Sequence, residues 1–121
     1  MQNFRNLQVW RIAHELVLSA YRVTTAFPRE EQFGLISQIR RAAISIPANI
    51  AEGCGRGSDA DFARHLQIAV GSADELDYHL LLAADLCYLS SVEHQGLGKQ
   101  LIAVRRMLIR LAQRLKSARN V

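Results

Sequence analysis

Apolar side chains at Val9, Ala13, Leu16, Ala20, Val23 and Phe27 recur at alternating steps of four and three, and Trp10, Val17 and Tyr21 widen the line they form. Residues three and four apart overlie one another on a helix, so the pattern predicts an amphipathic helix over residues 7 to 27. Phe27-Pro28 ends it, because the residue before proline avoids the α region and proline cannot extend the ladder. From Phe33 to about Gly53 the stripe is Leu35, Ile39, Ala42, Ile46 and Ile50, flanked by Ile36, Ala43 and Ile44. Pro47 interrupts this second helix by removing the amide that would bond to the Ala43 carbonyl. A kink or break is therefore expected near Pro47, at a cost of about 3 kcal/mol unless packing compensates. Three glycines in Gly53-Cys54-Gly55-Arg56-Gly57 then stop the helix.

Ser58 is placed to cap a third helix whose first turn carries Asp59 and Asp61, where the helix dipole favours negative charge. Its stripe is the most regular: Phe62, Leu66, Ala69, Ala73, Leu76, Leu80, Ala83 and Cys87, with Gly71 as the weak point. Ser90 and Glu93 form a capping-box pattern that opens a fourth helix with Leu97, Leu101, Val104, Leu108, Leu111 and Leu115 on one face. Short connections force consecutive helices to run antiparallel. The expected fold is all-α, an antiparallel up-down-up-down four-helix bundle, with residues 1 to 121 as a single domain. No alternating strand pattern or hairpin dipeptide competes with it.

The chain has 121 residues, 50% of them apolar, which is enough to build a core and excludes a disordered or collagen-like chain. Cys54 and Cys87 are too few for a disulfide scaffold and lack zinc-site spacing, so a reduced, cytoplasmic setting is expected. The amino terminus carries Arg5, Arg11 and Glu15 and offers no signal-type stretch, and the longest uncharged run, Ala42 to Ala51, is too short to span a bilayer. No membrane association is expected.

Charge changes the picture more than composition does. The net charge of +4 conceals +3 over residues 1 to 57, −6 over 58 to 93 and +7 over 94 to 121. Lys99, Arg105, Arg106, Arg110, Arg114, Lys116 and Arg119 make the polar face of the fourth helix a cationic stripe. Two readings follow: these cations pair with Asp74, Glu75, Asp77 and Asp85 of the third helix, or they neutralise nucleic-acid phosphates. Arg40 and Arg41 fit either arrangement.

Candidate chemistry is thin. A di-iron or di-manganese bundle needs Glu-x-x-His, and no glutamate here has histidine three residues on. Asp61 with His65, and Glu75 with His79, stand four apart and read as hydrogen-bonded pairs, since nothing supplies a third ligand. His14 and His94 are isolated. Cys54 lies near Arg56, which would lower its pKa, but has no adjacent base and reads as a small turn residue. The glycine-rich stretch lacks the strand and Lys-Ser/Thr of a phosphate loop. Trp10, Tyr21, Phe27, Phe62, Tyr78 and Tyr88 fall on or beside the seams, so contacts to nucleic acid are expected mainly at its backbone. The sequence reads as non-enzymatic, with no cofactor and no metal.

Leu7 to Leu16, and above all Gln38-Ile-Arg40-Arg41 through Ile50-Ala-Glu52-Gly53, resemble the four-helix bundle family that includes proteins encoded in intervening sequences of bacterial 23S ribosomal RNA genes. The accessory variability determinant of diversity-generating retroelements is similar to that family. The resemblance covers about residues 5 to 116; Cys54 departs from a more usual aromatic, and Cys87 from a common glycine. It implies a bundle protomer in a ring-like homopentamer with a basic surface proposed to bind nucleic acid, and, for the retroelement member, a reverse-transcriptase partner. Arg40 and Arg41 carry over within the matching motif. Stripes widened by Trp10, Val17, Ile36, Ile44, Leu81, Ile102 and Ile109 independently point to self-association.

The reading is thus a homo-oligomeric bundle that binds RNA or DNA weakly and non-specifically through Arg40, Arg41, Arg105, Arg106, Arg110 and Arg114, as an adaptor to a nucleic-acid enzyme. The alternative is a module that grips a protein partner, whose charges pair between subunits without a nucleic-acid role.

Overall fold

The computed structural model describes residues 3 to 119. Four helices account for most of them: α1 (Gln8–Thr24), α2 (Leu35–Cys54), α3 (Asp59–Asp85) and α4 (Ser91–Arg119). Short 3₁₀ turns at Phe4–Asn6 and Arg29–Glu31 precede α1 and α2. Each helix packs on the two beside it, α2 on α1 and α3, and α4 on α3 and α1. Among the described residues the backbones of the diagonal pairs stay apart, with no Cα atoms within 8 Å, while side chains of all four helices share one core. With tight turns between consecutive helices, this is the antiparallel four-helix bundle the stripes predict. No helix among the described residues is long and apolar enough to cross a membrane.

The stripes face inward as expected. Leu16, Ile39, Ile46, Ile50, Leu66, Leu76, Leu80 and Leu108 are fully buried. Helix starts also follow the sequence. Ser58 Oγ accepts from the Asp61 amide at 3.2 Å, and at α4 the Ser90 amide donates to Glu93 Oε1 at 2.9 Å while the Glu93 amide donates to Ser90 Oγ at 3.1 Å. That reciprocal pair is a capping box. The start of α2 is capped from outside the helix. Glu31 Oε1 accepts from the Leu35 amide at 3.1 Å, and Glu31 Oε2 accepts from the Tyr88 hydroxyl at 3.1 Å. One carboxylate therefore ties the α1–α2 turn to the α3–α4 turn, and by accepting a hydrogen bond from the protonated phenol it holds the Tyr88 hydroxyl above the usual phenol range.

Three findings refine the expectations, two at helix ends and one at proline, where of a kink or a break the break is excluded. α1 stops at Thr24 rather than Phe27. The Thr24 hydroxyl donates to the Ala20 carbonyl at 2.8 Å and the Thr25 hydroxyl to the Tyr21 carbonyl at 2.9 Å, local bonds of the kind that compete with a further helical turn. Phe27 nevertheless stays buried, its ring 5.4 Å from that of Tyr88. Pro47 does not break α2, which runs continuously through it. Its ring is buried and lines the α1-facing groove with Trp10 and Val17, so packing offsets the lost hydrogen bond.

The third change is at Cys87, which continues the α3 stripe on paper but lies beyond the helix, exposed, at φ 65°. The Tyr88 amide donates to the Ala83 carbonyl at 2.9 Å and the Cys87 amide to the Ala84 carbonyl at 3.0 Å. These two bonds are a Schellman motif with Cys87 at the left-handed position, where glycine is preferred because a Cβ is penalised. Cys87→Gly should therefore stabilise the fold by about 1 kcal/mol, read as a higher urea midpoint at unchanged slope. A lower midpoint would show that the cysteine side chain contributes packing that this backbone argument omits.

Candidate nucleic-acid interface

The leucine seam of α4 turns one face inward and leaves its cations outside. Arg105 is the one that finds a carboxylate among the described residues. Its Nε donates to Asp74 Oδ1 of α3 at 2.8 Å, between half-exposed side chains. Asp77 lines the same α3–α4 groove without an ion pair. Arg106, Arg110 and Arg114, spaced four apart, are exposed and make no ion pair within the described chain. Each step of four advances about 6 Å along the helix, so the three guanidiniums form a row along the bundle edge. The side chain of Arg119 lies outside the described ones.

Arg40 and Arg41 do not join this row, because α2 and α4 are diagonal in the bundle. Arg40 is half-buried and occupied. Its Nε donates to Thr24 Oγ1 at 2.9 Å and its guanidinium lies 4.4 Å over the Tyr21 ring, which fastens α2 to the end of α1. Arg41 is exposed and donates to Gln38 Oε1 at 2.8 Å. It borders a shallow groove with Phe33, Ile36 and Ile44, in which Phe33 is 90% exposed.

A more enclosed groove opens where α1 begins beside the last third of α4. It has a volume of about 500 Å³ and is lined by Leu7, Gln8, Val9, Met107, Arg110, Leu111, Gln113, Arg114 and Ser117. Two of the three row arginines thus border an apolar floor, and no carboxylate lines it among the described residues.

The other candidate groups are structural. His65 is 3% exposed and joins α3 to α2, with Nε2 2.8 Å from Glu52 Oε2 and Nδ1 2.9 Å from the Asp61 carbonyl oxygen. It meets the Asp61 backbone rather than the carboxylate predicted from their spacing. Hydrogen bonds from His65 and then from Arg56, whose guanidinium is 3.3 Å away, hold the Glu52 carboxyl below the ordinary carboxylate range. Cys54 is the last residue of α2 and buried, not a loop thiol, and burial pushes its pKa up rather than down. Gly55 and Gly57 make the α2–α3 turn, Gly57 at φ 87°. His14 stacks on Trp10 at 5.1 Å, while His79 keeps a buried Nδ1 without a hydrogen bond and is not joined to Glu75. Tyr78, expected beside a seam, is 60% exposed. No group of three metal-ligating side chains occurs among the described residues.

A family model described as 23S rRNA-intervening sequence protein matches residues 5–110. The chain belongs to this family. Among solved structures it is similar to the crystal structure of a protein of unknown function from the S23 ribosomal protein family of Bacteroides thetaiotaomicron. The two share 25% identity over 87% of this chain and 95% of that one, with a TM-score of 0.80. No curated protein matches the chain.

In this member of the intervening-sequence family, the stretch that carries the resemblance is built for packing. Arg40 pins α1, Glu52 receives His65, and Gly53 lets α3 come close. A Cβ at Gly53 would stand 2.7 Å from the His65 Cβ and 3.1 Å from the Phe62 ring. The Glu52–His65 joint left a signal in the sequence, a histidine one place from Leu66 in a strict apolar stripe, but its partner on α2 could not be read from spacing.

Two outcomes follow. Gly53→Ala should cost about 1–3 kcal/mol, because the Cβ it meets is anchored to backbone and one helix must shift; chemical denaturation reads the loss. Because the folded-state pKa of Glu52 is depressed, its contribution is present above the unfolded value and is lost as pH falls through the folded one. Glu52→Gln should therefore flatten the acid limb of a Tm-against-pH curve, and an unchanged limb would remove this joint from the account.

Proposed function

We propose that this protein is a non-enzymatic, homo-oligomeric bundle that binds nucleic acid weakly and without sequence preference through the α4 row Arg106, Arg110 and Arg114. The observation that carries the reading is that α3 does not neutralise α4. Of the row and its neighbours, Arg105 alone has an ion pair, and three arginines stay exposed with no partner within the described chain. Guanidiniums in this state bind phosphates bidentately and release counterions on doing so. Arg41 can add to the contact from another protomer or another face. Arg40, committed to Thr24 and Tyr21, is the weakest of the arginines nominated from the sequence. Arg105 is bound to Asp74 and contributes after that exposed pair opens.

Self-association is supported by apolar side chains left outside the bundle. Ile44 beside Arg41 on α2, and Ile102 beside Asp74 and Asp77 on the α3–α4 side, are 43% and 55% exposed. One face pairs its apolar side chain with Arg40 and Arg41; the other carries the mutually neutralised Asp74–Arg105 pair and the unpaired Asp77, a modest charge complementarity compatible with head-to-tail contact between copies. The resemblance named above makes five the expected number of subunits, and light scattering tests it. These same patches favour the alternative reading, a protein-interaction module without a nucleic-acid role.

Labelled RNA and DNA separate the two. Binding at low salt that falls steeply as salt rises is expected, and the Arg106→Gln, Arg110→Gln, Arg114→Gln triple variant should lose affinity and reduce the log–log salt slope by about three. If neither polymer binds at low salt, the interaction-module reading stands instead. A triple variant with an unchanged slope would move the site off α4.

A further inference from the structure

We infer that the groove between the start of α1 and the end of α4 accepts an unstacked base of a single-stranded nucleic acid, so that the protein prefers single strands to duplexes. The inference rests on the proposed nucleic-acid function and specifies its ligand.

The row Arg106, Arg110 and Arg114 alone would not discriminate. Phosphates line the outside of duplexes and single strands alike, and a row of cations reads both. What distinguishes this site is the composition of the groove beside the row. Arg110 and Arg114 form its rim, one helical turn apart, while Leu7, Met107 and Leu111 give it an apolar floor. Its volume of about 500 Å³ lies within the range of small-molecule sites, about 300–1,000 Å³. A base is a flat, largely apolar body attached to the phosphates that the rim arginines hold. In a single strand it can turn into the groove without unpairing, whereas in a duplex the same movement costs stacking and pairing energy.

The remaining lining fits this occupant. Gln8, Gln113 and Ser117 supply donors and acceptors at the margin, and among the described residues no acidic side chain lines the groove. Among the described residues no aromatic ring lines the groove, so the base is held by aliphatic and thioether contact and by the guanidinium planes rather than by ring stacking. Such contacts accept any base, in keeping with a sequence-neutral ligand. An acidic peptide shares the charge but carries no planar apolar group tied to each negative charge.

Fluorescence anisotropy with an oligothymidylate and a duplex of equal length, at one salt concentration, tests the inference. The single strand should bind about tenfold tighter than the duplex. Met107→Ser, which changes the floor and no charge, should abolish the preference and leave duplex affinity unchanged, while Arg106→Gln, outside the groove, should weaken both ligands equally. Photocrosslinking the intact protein with a 4-thiouridine strand gives a measurement independent of whether Met107→Ser folds, and the labelled peptides should fall within residues 107–117 of α4 or at residues 7–9. Equal binding of strand and duplex, crosslinks elsewhere, or displacement of the strand by polyglutamate as effectively as by unlabelled strand each overturn the groove assignment while the nucleic-acid reading survives. Failure of both oligonucleotides to bind overturns that reading as well.

Discussion

The closeness of α2 to α3 is the constraint on which the rest of this bundle depends. Gly53 has no Cβ at the point where one would stand 2.7 Å from His65, and farther along the same pair of helices the Ser45 and Ser72 hydroxyls meet at 2.8 Å. Short side chains at both places let the backbones approach, and Ala69 and Ala73 on α3 are fully buried behind them. That approach brings His65, itself almost fully buried, within hydrogen-bonding distance of Glu52, so its polar ring costs little to bury. It also sets where in space the end of α3 lies relative to α2. The turn after α3 must place Tyr88 against Phe27 and Glu31, and α4 starts from that turn.

What the sequence made legible was which face of each helix turns inward. Periodicity reports that directly, and the α2, α3 and α4 stripes are buried or half-buried as the spacing implies. Periodicity does not report where a helix stops. The four-three arithmetic runs on through Phe27 and Cys87, yet α1 ends at Thr24 and α3 at Asp85. α1 ends where its last turn tightens to three-residue hydrogen bonds ahead of Pro28, and α3 ends where one residue turns left-handed, both local events with no period. Capping by Ser58 and Ser90 was readable because both partners lie within three residues. The equivalent device at α2 was not, since Glu31 caps from beyond a glycine and shares its carboxylate with a tyrosine 57 residues away.

The same limit applies to the interface. Segment charges showed that α4 is cationic, but adjacent Arg105 and Arg106 are equivalent in a sequence and differ in the fold, because one faces α3 and the other does not. The arginine pair inside the recognisable motif misled for a related reason. Arg40 looks like a surface cation, and only the packed position of Thr24 and Tyr21 shows that it is a clamp. Neither distinction needed new chemistry, only the rotation of a helix about its axis. The groove at Met107 was invisible for a further reason, since α1 and α4 are neighbours in space and at opposite ends of the chain.

The row on α4 is hard to account for by stability. The seam of Leu97, Leu101, Val104 and Leu108 holds α4 in place by burial, whereas an exposed pair such as Arg105–Asp74 contributes about 0–1 kcal/mol. Like charges four apart repel by about 0.2–0.5 kcal/mol per pair, so Arg106, Arg110 and Arg114 oppose the helix that carries them. The fold tolerates the row without drawing on it. A polyanion laid along these arginines reverses the sign, turning mutual repulsion into shared attraction. Binding and helix stability are then linked, and a ligand that neutralises the row stabilises α4 in proportion to its affinity for the folded state.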